Sequence, residues 1–184
     1  MKPCSGRLAA LVLLLCAIAS CGKETRTIAT PSGSVQVTKE SAADVPQRIS
    51  APSDAELARI KADSARAREF LSHYAPGAAG SMADFDKAFK GWRAESPRRY
   101  ASEDVIAILG AHLGERLVSE LDMQWVVVED QYGRDLGVRS NKVEVISYPF
   151  SSVAKRIERE QDDFMEGVYY AVQDAIRNGG YKAH

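Results

Sequence analysis

The sequence predicts an α+β domain, with helices packed on one face of a small antiparallel three-stranded meander in the order α-α-α-β-β-β-α-α. Three observations predict it. Apolar residues recur at helical spacing both before residue 122 and after residue 150. Between them, Gln124–Glu129 is apolar on both faces, Trp125 and Val127 on one and Val126 and Val128 on the other. The stretches Asp130-Gln131-Tyr132-Gly133 and Ser140-Asn141 then supply turn chemistry between short β-prone runs.

The first helix opens at Ser53-Asp54-Ala55-Glu56, where the Ser hydroxyl and the Glu carboxylate can satisfy each other's backbone N–H groups. Leu57, Ile60, Ala67, Leu71 and Tyr74 continue it at helical spacing until Pro76-Gly77. The second starts at Ser81 with Asp84. Phe85, Phe89 and Trp92 line one face, and Ser96-Pro97 ends it. The third starts at Ser102, whose side chain can cap, and carries Ile106, Leu109, Leu113, Leu117 and Leu121. Gly110 and Gly114 lie four apart on it. Each costs a helix about 1 kcal/mol, so the pair points to close approach of another element.

The strands are Gln124–Glu129, Asp135–Arg139 and Lys142–Ser147, and Pro149 closes the sheet. Residues 151–177 read either as one long helix or as two, the last capped by Asp162. Asn178-Gly179-Gly180 ends it.

Ahead of the domain, Lys2 and Arg7 precede an apolar run from Leu8 to Ala19. That run is too short for a membrane span, which needs about 20 apolar residues. It has the form of a secretory signal over residues 1–20. The signal ends Ile18-Ala19-Ser20-Cys21, which resembles the lipobox of bacterial lipoproteins. The resemblance implies cleavage before Cys21 and acylation of its thiol. Gly22 stands where, in that family, Asp favours the inner membrane, so the expected location is the outer membrane, facing the periplasm. A single acyl chain holds a protein only marginally, whereas the several chains of a mature lipoprotein hold it stably.

Residues 21–52 read as the lipidated cysteine and a flexible tether, with a transient hairpin across Thr25–Thr38. About 30 flexible residues span roughly 30 Å. Residues 53–178 form the single domain and 179–184 a tail. The chain has three cysteines, Cys4, Cys16 and Cys21. The first two leave with the signal and the third is acylated, so no disulfide, thiolate metal site or cysteine nucleophile is expected.

The run Leu109-Gly110…Gly114…Leu117, then Trp125-Val126…Asp130…Tyr132-Gly133…Leu136, then Pro149…Lys155-Arg156-Ile157-Glu158, resembles a family of bacterial domains of unknown function. The resemblance covers Ala55 to Ile176. It implies a fold and boundaries, and no catalytic residues.

Loss of residues 1–20 removes Lys2 and Arg7 and no acid, moving the formal charge from −1 to −3, so no nucleic-acid partner is expected. Phosphate-loop, nucleophile-elbow and zinc-protease motifs are absent from the sequence. His73, His112 and His184 lack ligand spacing. No cofactor or metal is expected. Glu129, Asp130 and Asp135 gather around one turn, where they serve either as a solvated hairpin end or as a carboxylate pair for a small hydrolase or ligand carrier. Lys155, Arg156 and Arg159 form a basic face, read as solvated or as an anion contact.

Trp125, Asp130, Tyr132, Arg139 and Arg156 are the candidate binding residues, because Trp, Tyr and Arg dominate protein-binding hot spots. Trp125 is read alternatively as core. The sequence therefore points to a membrane-anchored periplasmic module that binds a protein partner, of the immunity, inhibitor or envelope-accessory kind.

Overall fold

The computed structural model describes residues 24–39 and 47–179. The chain runs β1 (Glu24–Thr30), β2 (Gly33–Lys39), β3 (Arg48–Ser50), α1 (Asp54–Ala65), α2 (Ala67–Tyr74), α3 (Met82–Ala94) and α4 (Ser102–Leu121). It continues through β4 (Met123–Asp130), β5 (Gly133–Ser140), β6 (Ile146–Ser147), α5 (Pro149–Glu158) and α6 (Met165–Arg177). The α+β class stands. The three-stranded meander and the predicted element order do not.

Strands β4, β5 and β6 form the expected antiparallel meander, but β3 joins it as a fourth strand, giving the order β3-β4-β5-β6. Arg48, Ile49 and Ser50 pair with Glu129, Val128 and Val127. They lie in the stretch read as tether. Three exposed residues leave no periodic signal, since their pairing is through the backbone. The third strand shrinks from Lys142–Ser147 to Ile146–Ser147.

The Thr25–Thr38 segment is a two-stranded hairpin in register from Glu24↔Lys39 to Thr30↔Gly33. It lies on α6: Thr30 Oγ1 donates to Glu166 (3.1 Å), Arg26 pairs with Asp174, and Ile28 is buried. A Cβ on Gly167 would lie 3.0 Å from a Val35 methyl.

Both predicted capping boxes form, Ser53 with Glu56 and Ser81 with Asp84. The first helix is broken into two at Arg66, whose N–H bonds back to Asp63 and Ser64 carbonyls. The apolar stripe skips from Ile60 to Ala67 at that point, so nothing on that face holds a continuous helix. Arg66 instead turns to Asp63 and Asp104. Residues 151–177 also resolve into two helices, α5 and α6.

Helix α4 is the centre of the core. Val105, Ile108, Leu109, Leu113 and Leu117 are fully buried, with Phe89 and Trp92 of α3 in the same cluster. The Ser102 cap does not form: Ala101 is the N-cap and has no side-chain bond. The two glycines do admit neighbours. A Cβ on Gly110 would lie 2.5 Å from the Phe150 ring of α5, and one on Gly114 would lie 2.1 Å from the Trp125 indole. His112, between them, stacks on Phe85 at 4.1 Å, and burial presses its pKa down to about 4.

Asp162 does not cap α6 either, because it pairs with Arg93 at 2.6 Å. The cap comes from Asp86 of α3, a buried carboxylate. Its oxygens accept the N–H groups of Phe164 (2.8 Å), Met165 (2.7 Å) and Glu166 (3.1 Å). Helix α3 is thus tied to the start of α6 through one acidic side chain.

Candidate functional site

The β4–β5 turn projects from the end of the sheet. Asp130 accepts the backbone N–H of Tyr132 at 2.8 Å, and Gly133 takes φ +126°, which an L side chain rarely adopts. The turn is therefore fixed by its own chemistry. It holds the Tyr132 ring out in solvent, 84% exposed.

Strand alternation decides which side chains share the site. Val128 pairs with Asp135, so both face one way, and Asp130 follows on the same face. Glu129 faces the other way and meets Arg134, which also binds Glu56 of α1 at 2.7 Å. The three hairpin carboxylates are thus divided, with Asp130 and Asp135 on one face and Glu129 on the other.

Helix α5 supplies the opposing wall. Tyr148, its N-cap, then Ser151 and Lys155 step by three and four, so they share a face. The Ser151 hydroxyl donates to Asp135 at 2.5 Å, and Asp135 also takes the N–H of Leu136 at 2.8 Å. Burial raises the Tyr148 phenol, and the charges of Asp130 and Asp135 add to the rise. The result is an open cleft of about 670 Å³ lined by Gln47, Tyr132, Lys155 and the two aspartates, among others. It offers donors and acceptors on facing walls. Asp135 is occupied by Ser151 and its neighbour's N–H, which suits it to orient groups.

Of the five candidate binding residues, the cleft brings together Asp130 and Tyr132. Trp125 is 8% exposed, seated on Gly114, 5.7 Å from the Phe150 ring, with its N–H donated to Glu115 at 2.8 Å. It belongs to the core. Arg139 pairs in register with Gln124 and Ile146, at the far end of β5. Arg156 is half-buried, donates to Gln161 at 2.5 Å, and has its pKa lowered by burial. Tyr148 and Ser151 went unread in the sequence. The spacing Tyr148, Ser151, Lys155 was available as a signal, but only the sheet register shows that it faces Asp135.

Among the described residues no group of three or more His, Cys, Asp or Glu is arranged to hold a metal ion, and no helix is long and apolar enough to cross a membrane. Cys21, the signal and His184 lie outside the described residues.

Comparison with known proteins places this region in context. Residues 93–169 match a family described as Domain of unknown function (DUF3806). That span runs from the end of α3 through α4, β4, β5, β6 and α5 into α6, and so contains the turn and the cleft lining other than Gln47, while strand β3 lies outside it. A crystal structure of a protein from Bacteroides thetaiotaomicron VPI-5482 is similar in fold, with a TM-score of 0.55 at 13% sequence identity. The similarity covers 78% of this chain and 52% of that one, so this chain spans about half the length of the solved protein. No curated protein matches the chain.

Proposed function

We propose that this chain is a lipid-anchored bacterial envelope protein that binds a protein partner through the β4–β5 turn and its cleft. One observation carries the binding half: a large aromatic side chain is held out in solvent on a turn fixed by Asp130 and Gly133, above a mixed-charge cleft. Exposing Tyr132 forgoes the burial of its ring, and a rigid aromatic loses little entropy on contact, which is why tyrosine is enriched at binding hot spots. The anchoring half rests on Ile18-Ala19-Ser20-Cys21 behind a signal-like run, with Gly22 favouring the outer membrane. In this reading the chain acts in the periplasm as an immunity or inhibitor protein or as an envelope accessory.

The test is capture from envelope and secreted fractions by the intact chain and by Tyr132→Ala. The exposed position leaves the fold alone, so circular dichroism and melting should match wild type. Recovery of the specific partner should fall at least about thirtyfold in affinity, the scale of a hot-spot residue worth roughly 2 kcal/mol. Loss of the partner's own activity on binding identifies an inhibitor, and retained activity identifies an accessory. Equal capture by wild type and Tyr132→Ala contradicts the assignment of the turn.

A further inference from the structure

Hairpin β1–β2 turns one face to α6. Arg26, Ile28 and Thr30 alternate on that face, and Thr27 and Ala29 between them are exposed. Val35 pairs with Ile28, and its methyl lies against the bare backbone of Gly167. Two contacts fix the direction: Arg26 pairs with Asp174, and Thr30 donates to Glu166. Arg26 to Thr30 is a strand length of about 13 Å, and Glu166 to Asp174 is a helix length of about 12 Å. The lengths match, so the hairpin lies along α6 and antiparallel to it. Its turn at Pro31-Ser32 stands by the start of the helix. Its open end, Glu24 opposite Lys39, stands level with Arg177.

That direction matters because of where the anchor lies. Only Gly22 and Lys23 separate Cys21 from Glu24, a span of at most about 11 Å. A free tether over residues 21–52 would reach roughly 30 Å and let the domain turn. A docked hairpin removes that reach and ties the anchor to one end of one helix. Arg177 stands at that end, exposed and without an ion pair among the described residues. Asp174, one turn earlier, is already matched by Arg26. A free cation there suits the phosphates of a lipid headgroup layer.

We infer that the C-terminal end of α6, with the open end of the hairpin, is the membrane-facing surface of the domain, and that its partner is the phospholipid headgroup layer. The inference rests on the reading that Cys21 is acylated. It adds an orientation to that reading: the start of α6 and the hairpin turn point away from the bilayer, about 18 Å further out.

The test uses the mature acylated protein, ¹⁵N-labelled, in nanodiscs of phosphatidylethanolamine and phosphatidylglycerol doped with a lipid carrying a nitroxide on its headgroup. The amides of Thr25, Arg177 and Asn178 should lose most of their signal relative to undoped discs, and those of Ser32, Gly33 and Met165 should keep most of theirs. Equal losses at the two ends, or the larger loss at Ser32 and Met165, would overturn the orientation. Ile28→Asp removes the buried hairpin side chain and leaves the domain sequence intact. Once the hairpin amides lose their dispersion in this variant, the signals of Arg177 and Asn178 should recover. An undiminished loss there with the hairpin released would also overturn the inference. The intact mass of the protein from its native envelope separates the two readings. A mass without acyl groups removes the anchor and the orientation together, whereas an acylated protein with equal losses removes the orientation alone.

Discussion

Gly114→Val should leave little folded protein, and Gly114→Ala should lose roughly 2–4 kcal/mol of stability in chemical denaturation. The size is unusual, because the same exchange in an open helix gains about 1 kcal/mol from helix propensity. Here the added Cβ would lie 2.1 Å from Cη2 and Cζ2 of Trp125. The indole cannot step aside. Its N–H is held by Glu115, its strand is paired on both edges over part of its length, and Phe150 stacks behind it. The cost therefore comes from moving α4 against β4. If that is the cause, shortening the partner relieves it. Trp125→Leu alone should destabilise through a cavity, and Gly114→Ala added to it should cost much less than in wild type. Additive losses in the double variant would show that the glycine is required for another reason.

Asp86→Ala is expected to lose roughly 3–5 kcal/mol, because three buried N–H groups at the start of α6 lose their acceptor together. Asp86→Asn keeps the Oδ1 contacts to Phe164 and Met165 and loses the Oδ2 contact to Glu166, so its loss should be smaller. The pair also gives a pH signature. Burial, the largest influence, lifts the Asp86 carboxyl from 3.8 to about 6, against the pull of its three N–H donors, with Asp163 adding to the rise. The folded state thus holds this proton to a higher pH than the unfolded chain does. The stability so gained is complete below the unfolded value of 3.8 and is lost as pH rises through about 6. The advantage of wild type over Asp86→Asn should therefore shrink by about 2–3 kcal/mol between about pH 4 and pH 8. A difference that is flat with pH would mean that Asp86 stays ionised throughout.

These two sites mark what the sequence can and cannot disclose. The glycine pair on α4 was legible as a close approach, since its cost in a helix is local and nothing local repays it. The capping boxes at Ser53 and Ser81 and the turn at Asp130–Gly133 were legible for the same reason: their partners lie within four residues. Asp86 was not, because its partners lie 78 to 80 positions away and an acid on an amphipathic helix reads as solvated. Strand β3 pairs through its backbone, and its three side chains carry no pattern. The hairpin at residues 24–39 was legible as a hairpin but not as a neighbour of α6.

The site divides along the same line. Asp130 and Tyr132 could be read from turn chemistry. Trp125 and Glu129 were drawn toward the site by proximity in sequence, and strand alternation and the glycine contact place them elsewhere. Tyr148, Ser151 and Lys155 form a face that only the sheet register brings to Asp135.

The central claim, that the β4–β5 turn is the recognition surface, is tested most directly by a photoreactive residue placed at position 132 in the intact protein in its native envelope, with position 139 as the control. One specific cross-linked partner from position 132 and none from position 139 is the predicted result. A partner captured equally from both positions, or only from position 139, would contradict it.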